Sequence, residues 1–312
     1  MRIAHFAWES LYSIKIGGLA YVVSKLAEAQ AKLGNEVHVF TRMGSNQEDY
    51  EIINNVHYHR CTFSYDSNFF NEMVNKFNPA LIEEFKRAEE KFGKFDIVHA
   101  HDWQVTLALE YAKNIGRKTV FTFHTTEYGR CGNSFGHGMS EEIRKLEWYA
   151  SYIANIVTVI SNVLKDEVKF LYKLPDWKIR VIYNAIDYEP FDKINIDPWQ
   201  DVKKYYGFGV YDPVFLFIGR ITWQKGIDML IHAFSEVVQE YPNARLIVIG
   251  EGPMKNDMIR EASNLGLLNK NIFFLGYVDE ETKIKWLKAC DALVVPSRNE
   301  PFGIVVLEAW SC

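Results

Sequence analysis

The chain has 312 residues, of which 48% are hydrophobic and 24% charged, with a formal net charge of −5. That length and balance suit an ordinary globular protein of two domains. No lysine- or arginine-rich stretch offsets the negative charge, which argues against nucleic acid as the main ligand.

The opening, MRIAHFAWES, reads as a strand rather than a signal peptide, because Glu9 and Ser10 arrive before any long apolar core. The longest apolar runs, such as IVTVI, fall far short of the ~20 residues of a membrane span. Cys61, Cys131, Cys290 and Cys312 form no CxxC pair and read as reduced thiols. No transmembrane segment and a cytoplasmic location are therefore expected.

Arg2–Trp8 is a short strand, followed by a loop that ends in Gly17 and Gly18. Helical spacing over Leu19–Leu33 puts Leu19, Val22, Val23, Leu26 and Ala27 on one face, and Gly34 stops the run. With the strand Val37–Phe40 this makes a βαβ unit. The loop KIGGL lacks the GxGxxG spacing of a dinucleotide fingerprint. It is either a tight turn needing positive φ or a backbone surface that a ligand approaches closely, with Lys15 beside it. Residues 46–78 read as irregular, with one short strand at HYHR. His57 and His59 have no carboxylate or third histidine close in sequence, so no metal is expected there.

Pro79–Phe92 is an amphipathic helix and Asp96–Ala100 a buried strand. HAHDWQ follows at the strand end, where open α/β sheets place ligand sites. His99 and His101 share a face by alternation; for either, a core histidine satisfied by backbone is the alternative. The strand Thr119–Phe123 ends in HTTEYGR, putting His124 at a second strand end, and the glycine-containing loop Tyr128–Gly138 is expected to be mobile. A helix over Glu141–Ile153, a strand over Ile156–Ile160 and a helix to Tyr172 capped by Ser161 follow. Ile179–Tyr183 leads to NAID, and Tyr188–Val210 reads as a linker. The domain boundary is expected near 195, giving domains 1–195 and 196–312.

The second domain opens with the strand Val214–Ile218, then GRITWQKG and a helix over Ile227–Tyr241. Arg220 at the strand end and Lys225 at the helix start offer two cations of the kind a leaving diphosphate requires. Two solvated surface cations are the alternative. Leu246–Ile249 precedes GEGP, which contains Gly252; Asn271–Leu275, a helix over Glu280–Lys288 and a buried strand over Ala292–Val295 come next. In SRNEPFGIVVLEAW, Glu300 and Glu308 flank a helix start at Gly303 and Ile304. A helix start offers unpaired N–H groups to an anion, and a carboxylate on the same helix can bind sugar hydroxyls. This suits a sugar joined to a phosphate; an ordinary strand–loop–helix crossover with solvated glutamates is the alternative. The run IVVLEAW, apolar on nearly all sides, is expected to be buried. Only four strands are expected in this domain against the usual six, so it reads as incomplete and the chain as a fragment.

EPFGIVVLE resembles the Glu-x7-Glu motif of retaining GT-B glycosyltransferases, the group that includes glycogen and starch synthases. KIGGL resembles their Lys-x-Gly-Gly loop, HAHDW a segment they place at the floor of the interdomain cleft, and GEGP their turn beside the nucleotide base. NAID resembles their Asn-Gly-x-Asp turn, with Ala185 in place of glycine. With FTFHTTEYGR and GRITWQKG, these segments occur in the family's order across nearly the whole chain.

The resemblance implies an α/β architecture of the GT-B type: two Rossmann-like, doubly wound domains facing a cleft, the second incomplete. It implies transfer of glucose, with retention, from UDP- or ADP-glucose to the non-reducing end of an α-1,4-glucan. Lys15, Gly17 and Gly18 would face the donor, and His101 would touch the transferred sugar, with His124 on the substrate side. Arg220, Lys225, Gly303 and Ile304 would hold the diphosphate, Gly219 would be among the substrate-binding residues, and Gly252 would border the base. Glu300 would bind sugar hydroxyls and stabilise an oxocarbenium-like carbon, and Glu308 would take the ribose hydroxyls. There is no Asp-x-Asp pair, so neither metal nor cofactor is expected beyond the nucleotide-sugar donor. Two rival readings stand: a family-4 enzyme using another acceptor (sucrose, a glycolipid or a cell-surface glycan), or a non-catalytic sugar-nucleotide-binding subunit.

Overall fold

A computed structural model describes residues 1–312 as two compact units, Met1–Asn184 and Ala185–Cys312. In the first unit the strands are β1 (Arg2–Phe6), β2 (Glu36–Arg42), β3 (Tyr50–Ile53), β4 (Val56–Cys61), β5 (Ile97–His101), β6 (Lys118–Phe123), β7 (Ile156–Val159) and β8 (Ile179–Val181). They form one sheet in the order β3-β4-β2-β1-β5-β6-β7-β8. All pairings are parallel except β3 with β4. Helices Gly18–Lys32, Asn78–Phe92, Thr106–Asn114, Met139–Ile153 and Asn162–Tyr172 connect the strands. Parallel sheets are buried on both faces, so their strands read as apolar runs; Phe6 and Phe40 meet edge-to-face at 5.6 Å and Phe6 meets Phe85 at 5.1 Å. The strand order reverses between β1 and β5, the place where open α/β sheets take ligands.

Where the sequence reading expected one strand in residues 46–78, the structure has the hairpin β3–β4 and a helical stretch leading into Asn78–Phe92. Asn54 and Asn55 form its turn with φ of 52° and 63°. A two-residue turn with both φ values positive matches the twist of the flanking strands, and asparagine tolerates that conformation.

The second unit has β9 (Val214–Ile218), β10 (Arg245–Ile249), β11 (Ile272–Gly276) and β12 (Ala292–Leu293), all parallel in the order β11-β10-β9-β12. Alternation along β10 sends Leu246 and Val248 into one cluster and Ile247 and Ile249 into another. The first cluster holds Ile231 and Phe234 of helix Ile227–Glu240 and Met258 of helix Lys255–Asn264. The second holds Ile284, Trp286 and Leu287 of helix Glu280–Ala289. Helices therefore cover both faces. Phe191, with Ile186, Ile194 and Ile196, packs into this second cluster. These residues therefore go with the second compact unit, which begins at Ala185.

β12 spans only Ala292–Leu293 and is an edge strand, paired on one side with β9, so Ala292 and Val295 are exposed and not buried. In helix Ile304–Trp310 the buried residue is Glu308, while Trp310 is 79% exposed. An internal partner explains the inversion: Lys283, on helix Glu280–Ala289, reaches the Glu308 carboxylate at 2.8 Å. No helix of the protein is long and apolar enough to cross a membrane.

Candidate active site

At the C-terminal end of β5 the chain turns sharply through Asp102, which has φ 59° and ψ 175°. That region is almost reserved for glycine, and a side chain held there stores strain of the kind found at functional sites. The surroundings enforce it. The Asp102 N–H donates to the Thr122 carbonyl at 3.0 Å, and its carboxylate accepts the backbone N–H of His124 at 2.8 Å. One residue thus fixes the ends of β5 and β6 side by side.

Those ends carry histidines. His5 pairs with His99 in the β1–β5 register, and His101 lies one pleat further on. His101 is fully buried; its Nε2 faces Nδ1 of His5 at 3.0 Å and its Nδ1 faces Nε2 of His124 at 3.0 Å. His99 stacks on His101 with ring centroids 4.2 Å apart and hydrogen-bonds Thr122 Oγ1 at 2.5 Å. Burial, which disfavours the charged ring, lowers His5 to about 4 against an opposing bond from Gln30, and holds His99 and His101 well below the usual value. The expected alternative for His99 and His101, a ring satisfied by backbone, does not describe them: their partners are side chains.

The ring nitrogens of His5, His99 and His101 lie within 4.8 Å of one another, so these three are the side chains that could hold a metal ion. Both nitrogens of His5 and of His101 are engaged in hydrogen bonds that an ion would have to displace. His57 and His59 gain partners that sequence proximity did not offer. His59 bonds His38 at 2.9 Å and Glu84 at 3.1 Å, and His57 bonds the Tyr50 hydroxyl at 2.7 Å.

The glycine loop is held by a residue that the sequence reading assigned no role. Glu9 is 3% exposed, and its carboxylate accepts the N–H groups of Ile16 at 2.7 Å and Gly17 at 3.0 Å. Burial raises the Glu9 pKa, with these two bonds opposing. Gly17 is extended, with φ −148°, so the turn with positive φ is not what places a glycine here. A Cβ at Gly17 would find only Glu9 Oε1 at 3.8 Å, an ordinary contact. Lys15 and Gly18 are exposed beside it.

The segment after His124 is anchored at its start. Thr126 caps the turn Glu127–Arg130, and the Glu147 carboxylate accepts the Glu127 N–H at 2.9 Å and an Arg130 N–H at 3.3 Å. Burial drives Glu147 up to about 8, against Arg130 and the Tyr172 hydroxyl.

In the second unit two loops lock together. Gly226 has φ 68°, and a Cβ there would lie 2.1 Å from the Pro296 carbonyl oxygen. Only glycine permits this approach. Arg298 donates to both oxygens of Asp228 at 2.7 Å, and its N–H donates to the Gln224 carbonyl at 2.8 Å. The docking brings the Lys225 ammonium to 2.6 Å from Glu300, whose carboxylate also accepts from Ser297 at 2.9 Å. Arg220 is exposed at the end of β9. The backbones of GRI and GEGP pack as tightly: a Cβ at Gly250 would lie 1.9 Å from the Gly219 oxygen, and one at Gly252 2.3 Å from the Ile221 oxygen. Close backbone approach therefore requires both glycines. Gly303, with φ 81°, precedes Ile304 at the start of the last helix. Glu308 is 8% exposed and paired with Lys283. Burial lowers the Lys283 pKa, but Glu308 and Glu280 outweigh it and the net shift is upward.

Two doubly wound units built on parallel or largely parallel sheets, each carrying charged or imidazole side chains at the C-terminal ends of its strands, are the architecture of the GT-B glycosyltransferases. Residues 16–190 match the model of Glycosyltransferase Family 4, and residues 201–312 that of Glycosyl transferases group 1. The chain belongs to glycosyltransferase family 4. An uncharacterized glycosyltransferase of Methanocaldococcus jannaschii is 35% identical over 100% of this chain and 78% of its own length. A glycogen synthase of Mycobacterium tuberculosis is 28% identical over 99% of this chain and 75% of its own. Among solved structures, sucrose-phosphate synthase from Thermosynechococcus elongatus superposes with a TM-score of 0.81 at 21% identity, covering 99% of this chain and 78% of that one. The catalytic domain of starch synthase IV from Arabidopsis thaliana, bound to ADP and acarbose, gives 0.75 at 19% identity, covering 98% and 80%.

Proposed function

We propose that this glycosyltransferase moves glucose from UDP- or ADP-glucose to the non-reducing end of an α-1,4-glucan with retention of configuration. The observation that carries the reading is the Lys225–Glu300 pair, 2.6 Å apart at the docked loops of the second unit. A cation beside a carboxylate suits the two halves of a sugar diphosphate. Lys225, Arg220 and the backbone at Gly219, Gly303 and Ile304 are assigned to the leaving diphosphate, where developing charge gains most from fixed positive groups. Glu300 is assigned to the sugar hydroxyls and the electron-poor anomeric carbon, and Gly252 to the border of the base. Glu308 is assigned to the ribose hydroxyls, in exchange for part of its bond to Lys283. Lys15, Gly17, Gly18, His101 and His124 are assigned to the donor sugar and phosphates. The glycogen synthase relative and the starch synthase neighbour bound to ADP and acarbose support a glucan acceptor.

The second reading keeps the family and changes the acceptor. The superposition on sucrose-phosphate synthase favours it. Incubation with UDP-glucose or ADP-glucose, with glycogen, fructose 6-phosphate or no acceptor, separates the two by nucleotide release. Glycogen-dependent release supports glucan synthesis, release only with the sugar phosphate supports the second reading, and no release from either donor contradicts both.

A further inference from the structure

Gln30, near the end of helix Gly18–Lys32, places its amide oxygen 2.7 Å from Nε2 of His5. From there hydrogen bonds run without a gap through His5 Nδ1 to His101 Nε2 at 3.0 Å, and through His101 Nδ1 to His124 Nε2 at 3.0 Å. A neutral imidazole has one N–H and one lone pair, so each ring's proton dictates its neighbour's. Gln30 Oε1 can only accept. His5 therefore donates from Nε2 and accepts at Nδ1 from His101 Nε2–H, while His101 accepts at Nδ1 from His124 Nε2–H. All three rings hold one tautomer, and the remaining nitrogen, Nδ1 of His124, carries a lone pair. Reversal requires all three rings to change together.

We propose that Gln30 is a positioning residue whose amide oxygen sets the tautomers of His5, His101 and His124 in concert, so that His124 Nδ1 accepts a hydrogen bond from a hydroxyl of the donor sugar. The second half of this rests on the assignment of His124 to the sugar. Further contacts hold the rings in place. The Asp102 carboxylate binds the His124 backbone N–H at 2.8 Å, and His99, tied to Thr122, lies against His101 at 4.2 Å. His124 is the only one of the three residues that is not fully buried, so the polarity set at Gln30 ends at the residue with some exposure. A hydrogen-bond partner on the far nitrogen fixes an imidazole tautomer in this way at metal and catalytic sites.

The test uses the full chain labelled with 15N-histidine, in which long-range proton–nitrogen correlation separates Nε2–H from Nδ1–H rings. At about pH 7.5, roughly one unit above the ordinary histidine value, the wild type is expected to show all three rings as Nε2–H. Gln30→Glu, which can only accept, keeps that pattern, and Gln30→Lys, which can only donate, turns all three to Nδ1–H. Mixed tautomers in the wild type, or an unchanged pattern in Gln30→Lys, would overturn the coupling. In parallel, kcat/KM for UDP-glucose and ADP-glucose is expected to fall about tenfold in Gln30→Lys, the worth of one hydrogen bond, and to stay near wild type in Gln30→Glu. Equal kcat/KM in the two variants, with the rings turned, would overturn the sugar contact alone. Absence of nucleotide release in the wild type would overturn the functional reading, while the spectra still decide the coupling.

Discussion

Lys225 and Glu300 illustrate why a partly exposed ion pair points to chemistry more than to stability. Their side chains keep 27% and 24% of their accessibility, and exposed pairs contribute little to folding. Replacing Lys225 or Arg220 by alanine is accordingly expected to leave circular dichroism unchanged. Each should lower kcat about 10²–10³-fold, the usual loss when one preorganised electrostatic contact is removed. Near-normal turnover in both would contradict the diphosphate assignment. Gly226 supplies a second test. Gly226→Ala combines a φ of 68° with a Cβ 2.1 Å from a carbonyl oxygen, whereas Gly266→Ala, at φ 69°, would meet nothing within 4 Å. Urea unfolding is expected to show a loss of about 1 kcal/mol at Gly266, from backbone strain alone. The loss at Gly226 should be about 2–4 kcal/mol, with lowered kcat because the loop carrying Glu300 is pushed off Lys225. Equal losses at the two positions would show that the loops are not docked as described.

At the scale of elements, buried histidines link β1 to β5, through His5 and His101, and β2 to β4, through His38 and His59. His5 is lowered to about 4 and His38 to about 3, both chiefly by burial. These rings stay unprotonated in the folded state while the unfolded chain takes up protons from about pH 6.5 downward. The stability they allow is thus complete above about pH 6.5 and is lost as the pH falls towards 4 and then 3. For His5 alone the change is on the order of 3 kcal/mol. Glu147, raised to about 8, works in the opposite direction, favouring the fold at low pH and less so as pH rises through 8. His99 and His101 join His5 and His38 on the other side, so the net effect is loss with acid. Denaturant midpoints between about pH 7.5 and 4.5 should fall; a flat profile would contradict neutral buried rings. Local signals made several of these elements legible in the sequence. Ser161 accepts the Leu164 N–H as the expected cap, and Ile304–Trp310 begins and ends where the glycine and the apolar run indicated. The β3–β4 hairpin was missed because its Asn54-Asn55 turn lacks glycine, and helix Lys255–Asn264 because it is mostly polar. Partners distant in sequence were beyond reach. Lys225 and Glu300 are 75 residues apart and His5 and His101 96 apart, so only the sheet order brings each pair together.

For the molecule as a whole, the assigned chemistry runs on fixed cations, backbone N–H groups and one carboxylate. No Asp-x-Asp pair is present to seat a divalent ion. Glucosyl transfer is expected to persist in EDTA, and complete loss restored by Mg²⁺ or Mn²⁺ would reassign the diphosphate contact to a metal. The family and the GT-B fold rest on matches across both units, whereas the proposed donor contacts rest on Lys225, Glu300 and the histidines. The most direct measurement is the anomeric configuration of the bond formed when the chain is given 13C-glucose-labelled UDP- or ADP-glucose and glycogen. The account predicts labelled α-1,4-linked glucosyl ends, abolished by Glu300→Ala and strongly reduced by Lys225→Ala. A β-linked product, or labelled α-1,4 ends formed at the wild-type rate by Glu300→Ala, would contradict it.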